Sequence, residues 1–118
     1  MATYEEVERF LERMREKIRV FGIIYRNDRG KNMQTLAELE ITPVFRDSII
    51  IDLGVEDYSE GPIVDSINNY GEMWVFGKDV KDNEVYIKIT LDAGTKALCI
   101  SFHIAEYKMK FPLKKVNI

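Results

Sequence analysis

Two stretches toward the C-terminal end constrain the fold more than anything else in this chain. Glu84-Val85-Tyr86-Ile87-Lys88-Ile89-Thr90 and Leu98-Cys99-Ile100-Ser101-Phe102-His103 both alternate apolar and polar residues with the period of a β-strand. Each then has one face for a core and one for solvent. Joined as a hairpin through Asp92-Ala93-Gly94-Thr95 with a two- or four-residue loop, their apolar faces match when Val85 lies opposite Phe102, Ile87 opposite Ile100 and Ile89 opposite Leu98. That register sets Tyr86 beside Ser101 and Glu84 beside His103. A phenol, the Lys88 ammonium, a hydroxyl and the chain's only imidazole share one side of a sheet whose other side is core.

A third strand, Met73 to Val80, precedes this pair across Asp82-Asn83, a pair suited to a two-residue turn. The three form an antiparallel meander with Trp74, Phe76, Lys78 and Val80 on the core side. In this register Gly77 falls across from Lys88. It either leaves space above the ammonium for a substrate phosphate or marks a bulge.

Upstream, Thr3 and Glu6 make a capping box ahead of an apolar stripe at Val7, Phe10, Leu11, Met14, Ile18 and Phe21, which predicts an amphipathic helix. Val20 to Tyr25 reads as a short extended segment ending in the turn-forming Arg26-Asn27-Asp28-Arg29-Gly30. A second helix is expected over Asn32 to Glu40, with Met33, Leu36, Ala37 and Leu39 inward. Thr42 and Pro43 suit N-cap and N1 of a third over Pro43 to Leu53, although Ser48-Ile49-Ile50-Ile51 also fits a strand. Gly54 to Glu72 reads as a loop, carrying Gly61-Pro62, Asn68-Asn69 and Gly71. The sum is one α+β domain over residues 1–118, with two or three helices on one face of a small antiparallel sheet.

Charge narrows the partners. At −3 overall and a pI near 5.2, the 118-residue chain lacks the cationic surface that indiscriminate nucleic-acid coating needs. Basic residues are instead local, in Arg26, Arg29 and Lys31 and in Lys108, Lys110, Lys114 and Lys115. Between Glu38 and Asp65 the chain is acidic, which suits a solvated face or a surface for a basic partner. One cysteine makes no internal disulfide, and no apolar run of signal or membrane length follows Met1. A cytoplasmic protein without membrane contact is expected.

One histidine and one cysteine are too few for a His/Cys zinc site, and the carboxylates lack EF-hand spacing, so no metal or other cofactor is expected. Phosphate-loop, dinucleotide and nucleophile-elbow motifs are missing as well. Acid–base work without metal remains. RNA cleavage of that kind needs a base for the 2′-hydroxyl, an acid for the leaving 5′-oxygen and a cation for the phosphorane charge, roles that His103, Tyr86 and Lys88 can fill. Each has an ordinary reading too: a strand histidine paired with Glu84, a cross-strand packer and a solubilising charge. Ser101 has no Ser-His-Asp order behind it, and Cys99 reads as a small filler. The tail from Tyr107 interleaves Lys with Met109, Phe111, Leu113 and Val116, which suits an edge strand or an RNA-contacting end.

Asp57-Tyr58-Ser59-Glu60-Gly61-Pro62, Met73-Trp74-Val75-Phe76-Gly77-Lys78, Glu84-Val85-Tyr86-Ile87-Lys88-Ile89 and Cys99 to Glu106 together resemble the MqsR family of bacterial toxins. The likeness extends from about Val7 to Pro112. It implies a RelE-like fold and an mRNA interferase of a type II toxin-antitoxin module that cleaves single-stranded mRNA. It also implies a cognate antitoxin, often with a zinc-binding part and a helix-turn-helix part, through which alone DNA is contacted. By that resemblance Tyr86 matches the active-site tyrosine, Lys88 and Trp74 match motif residues, and His103 stands where the best-known branch has a functional lysine. Arg26, Arg29, Lys31, Trp74 and Ser101 are the RNA-binding candidates, and His103, Tyr86 and Lys88 the catalytic ones. Glu60 and Val75 depart from that branch, which has lysine and glutamine there. The competing expectation is a non-catalytic RNA- or protein-binding module of the same fold.

Overall fold

The chain enters its first helix, α1 (Tyr4–Phe21), through the capping box: the Thr3 hydroxyl accepts from the Glu6 amide at 3.2 Å, and the Glu6 carboxylate accepts from the Thr3 amide at 3.0 Å. These bonds hold the Glu6 carboxyl below its ordinary pKa. Val7, Phe10, Leu11 and Met14 form its buried stripe, whereas Phe21 ends up 48% exposed because the helix runs past the edge of the core. The computed structural model describes residues 1–26, 31–67 and 69–115. The strand β1 (Ile23–Tyr25) and the helix α2 (Lys31–Leu39) follow. On α2 it is Thr35, Leu36 and Leu39 that are buried, while Met33 and Ala37 face out.

The third helix, α3 (Pro43–Ile51), forms where the cap predicted it. The Thr42 hydroxyl accepts from the Phe45 amide at 3.1 Å and Pro43 occupies the first turn, so Ser48-Ile49-Ile50-Ile51 is helix rather than strand. Arg15 of α1 donates to the Ile51 and Leu53 carbonyls and so satisfies acceptors at the C-terminal end of α3.

The expected loop from Gly54 to Glu72 is the largest correction to the secondary structure. A single 3-10 turn (Val55–Asp57) leads into a strand, β2 (Tyr58–Asp65), paired antiparallel with β3 (Gly71–Val80). Gly61 and Pro62 sit where the β2–β3 register shifts, so residues that read as loop punctuation mark irregularities in an edge strand. With β4 (Asn83–Thr90) and β5 (Ala97–Ile104), the sheet has the order β1-β5-β4-β3-β2. It is mixed rather than purely antiparallel, because β1 runs parallel to β5.

Both meander registers differ from the sequence expectation by two residues. The first turn is Lys81-Asp82, both in the left-handed region at φ 49° and 67°, one residue earlier than Asp82-Asn83. Gly77 therefore faces Tyr86, and Val75 faces Lys88. In the second hairpin Val85 pairs with Ile104, Tyr86 with His103, Ile87 with Phe102 and Lys88 with Ser101. Ile100 is then an extra residue in a bulge, since the next pairs are Ile89 with Cys99 and Thr90 with Leu98. The connection runs through residues 91–96, longer than a two- or four-residue loop.

A two-residue shift preserves the faces, but a bulge inverts them. Downstream of Ile100 the predicted facing holds, with Phe102 inward. Upstream, Cys99 turns into the core at 1% exposure and Leu98 leaves the main core cluster. That cluster joins Val7, Phe10 and Met14 of α1, Leu36 and Leu39 of α2 and Ile49 and Ile50 of α3 to Trp74, Phe76, Val85, Ile87 and Ile89 of the sheet. All three helices thus pack on one face. Phe10 is stacked on Trp74 and Phe76, with ring centroids 4.7 and 5.8 Å apart. Lys78, on the core side of β3, pairs its ammonium with Asp57 at 3.1 Å near the rim. Among the described residues no helix is long and apolar enough to cross a membrane.

Candidate functional site: a groove on the helix-free face

The face of the sheet away from the helices carries a groove of about 630 Å³. The pairings dictate its floor: Lys88 sits opposite Ser101, and Tyr86 opposite His103. The Tyr86 and His103 rings are stacked, with centroids 4.9 Å apart and planes at 11°. The Lys88 ammonium lies 5.8 Å from the centre of the Tyr86 ring, at the outer limit of cation–π range. Three groups that each have an ordinary role as separate surface residues therefore stand together, half-buried, on adjacent strands.

Hydrogen bonding sets the roles these groups can take. Nδ1 of His103 lies 2.9 Å from the Ile104 carbonyl oxygen, which only accepts, so Nδ1 carries a proton and donates. The neutral ring then has its free lone pair on Nε2, as a base requires. Burial first, and the Glu60 carboxylate second, push the Tyr86 phenol above its ordinary pKa. Tyr86 stays protonated and is a donor, not a phenolate base. Glu60, on β2 opposite Val75, lines the same groove, so the position where the resemblance implies a lysine presents a negative charge.

The other wall comes from residues after β5. The chain turns back over the face it has just completed, bringing Glu106, Lys108, Met109 and Lys110 to the groove. The Ala105 amide continues the ladder to the Glu84 carbonyl at 2.8 Å, and the Met109 amide donates to the Glu84 carboxylate at 2.7 Å. Glu84 is thus an anchor for the tail, not the partner of His103. Gly77 is neither a bulge nor an opening for phosphate. A Cβ there would come within 2.7 Å of the Met109 sulfur and 2.8 Å of the Phe111 ring, so the tail fills the space above it.

The remaining sequence candidates lie elsewhere. Trp74 is on the opposite face, 8% exposed and stacked on Phe10, because the β3 alternation that turns Val75 outward turns Trp74 in. Arg26 extends β1, its amide donating to the Cys99 carbonyl at 3.0 Å and its guanidinium lying 5.5 Å from the Tyr70 ring centre. Cys99 is four residues from His103 along β5, or about 13 Å at ordinary strand rise. Arg29 lies outside the described residues, as does the Lys31 side chain. Cys99 itself is a core filler, its thiol pushed up to about 12 by burial.

Groove residues outside the site candidates named from the sequence include Glu60, Glu106, Lys108 and Lys110, although the tail carrying the lysines reads from its sequence as an edge strand or an RNA-contacting end. Only the alternation of lysine with Met109 and Phe111 signalled that the tail has a face to bury. Among the described residues no group of three or more histidines, cysteines or carboxylates is arranged to hold a metal ion. Comparison with protein-family models, with curated proteins and with solved structures finds no match. The resemblance to the MqsR family accordingly stands on the motifs quoted for it alone.

Proposed function

We propose that the groove is the active site of a metal-independent endoribonuclease acting on single-stranded mRNA. The observation that carries this reading is the stacked Tyr86–His103 pair with the Lys88 ammonium beside it, since two proton-transfer groups and a cation are what cleavage by the 2′-hydroxyl requires. Nε2 of His103 takes the 2′-hydroxyl proton as O2′ attacks phosphorus. The P–O5′ bond breaks, and the Tyr86 phenol supplies the proton that the leaving oxygen needs. Lys88 offsets the charge that builds on the non-bridging oxygens, and Ser101, opposite it, offers a hydrogen bond to the same group. The products are a 2′,3′-cyclic phosphate and a 5′-hydroxyl.

In its wider form the proposal makes the chain the toxin of a type II toxin-antitoxin module with a RelE-like fold, held inactive by a cognate antitoxin protein. The mixed sheet with helices on one face is compatible with that fold, and the motif resemblance supplies the family. The test is incubation of the purified protein with single-stranded RNA in the presence of chelator. Wild type should leave cyclic phosphate ends, and His103→Ala and Tyr86→Phe should each lose at least about a hundredfold in rate. Cleavage by both variants at the wild-type rate removes the proposal. Growth arrest on induced expression, relieved by His103→Ala, tests the toxin role.

A further inference from the structure

Resting on the reading of the groove as an RNA site, we infer that the C-terminal strap, residues 105–115, is one half of that site. In this inference Lys108 and Lys110 hold the phosphates flanking the scissile one. Charge on the floor of the groove motivates this. Lys88 is the cation there and Glu60, on β2, lines the same groove as an anion, so the sheet by itself offers a polyanion no net attraction. Lys108 and Lys110 against Glu106 make the groove net positive only when the strap is in place. Single-stranded RNA is held by cationic grooves that track its backbone, and two lysines separated by one residue along a strap can each take one of the phosphates on either side of the scissile one.

The strap is fastened in this position by features that have no other evident use. The Glu84 carboxylate takes the Met109 amide, Gly77 gives up a side chain so that Met109 and Phe111 can lie on the strand, and Leu113 reaches the core. Lys108 and Lys110 remain exposed at the rim while Met109 and Phe111, between and after them, are partly buried. An end needed only to cover an apolar sheet face could do so without presenting two ammonium groups to the one groove that holds the imidazole.

The experiment uses full-length protein and a short single-stranded RNA carrying 2′-O-methyl groups throughout, which binds but has no free hydroxyl to attack. Lys108→Ala with Lys110→Ala should weaken binding about tenfold near physiological salt. The salt slope of log K should become shallower by about 1.4, at about 0.7 per lost phosphate contact on a single strand. Replacing both by arginine should keep wild-type affinity. Arg9→Ala with Arg13→Ala removes as much charge from α1 and should change neither quantity. Gly77→Val should detach the strap, weaken binding like the double alanine variant and free the backbone at Lys108 and Lys110 for faster cleavage by trypsin; if it does not fold, the exposed lysine pair still decides. Wild type binding while the double alanine variant matches it in affinity and slope overturns this inference and leaves the RNA reading standing. Wild type failing to bind overturns both.

Discussion

Removing an aromatic ring from each face of the sheet separates a surface built for stability from one built for chemistry. Phe10 is 5% exposed between Trp74 and Phe76, so Phe10→Ala deletes about 175 Å² of buried apolar surface and two ring contacts. At about 25 cal/mol per Å² with about 1 kcal/mol for the stacking, the cost is about 5 kcal/mol, near the upper end for a Phe→Ala change in a sealed core. Tyr86 is half-buried beside an open groove that water refills, so Tyr86→Ala should cost about 2 kcal/mol. Urea unfolding followed by far-UV circular dichroism measures both, at low temperature so that the Phe10 variant keeps a folded baseline. A Tyr86→Ala cost equal to that of Phe10→Ala would make the Tyr86–His103 stack a second packing core. The argument that these rings stand in the groove for their chemistry would then fail.

Two further outcomes follow from the titrating groups. The buried Cys99 thiol titrates near about 12 when folded against about 8.5 unfolded, so the fold favours its neutral form; that stabilisation is complete below about pH 8.5 and is lost as pH rises toward 12. Between pH 8.5 and 10, wild type should lose about 1.5 kcal/mol more than Cys99→Ala in paired urea titrations, and equal losses would show that the thiol is not sealed in. Glu60→Gln should lower the Tyr86 phenol toward its ordinary value without reaching it, because burial remains, and should tighten binding of the methylated RNA. Ultraviolet difference titration against Tyr86→Phe follows the phenol; an unchanged titration would mean that Glu60 does not act on it.

Local rules determined much of this protein. Capping at Thr3 and Thr42 begins two helices, the spacing of Val7, Phe10, Leu11 and Met14 names the face α1 buries, and the alternation of β4 assigns Tyr86 and Lys88 to the side away from the core. Facing survives an error in register in the first hairpin and in the second as far as the bulge, because there both differ from expectation by two residues and the strand period is two. Thus the four groups predicted to share a face do share it below the bulge, although their pairings differ.

What the sequence could not decide is set by partners distant along the chain. The turn falls at Lys81-Asp82 rather than Asp82-Asn83 because Trp74 and Phe76 must meet Ile89 and Ile87 beneath Phe10, and both turn residues accept the left-handed backbone that this demands. The bulge at Ile100 lets one strand serve β4 on one side and β1 on the other, turning Cys99 inward. β2 is a strand only because β3 offers it an edge; alone, its glycine and proline read as loop. Gly77 acquires its purpose only when Met109 and Phe111 return from the far end of the chain to lie on it. Period and capping act within a turn or a strand and are written locally, whereas register, edge pairing and the closing of the groove are settled by which surfaces meet.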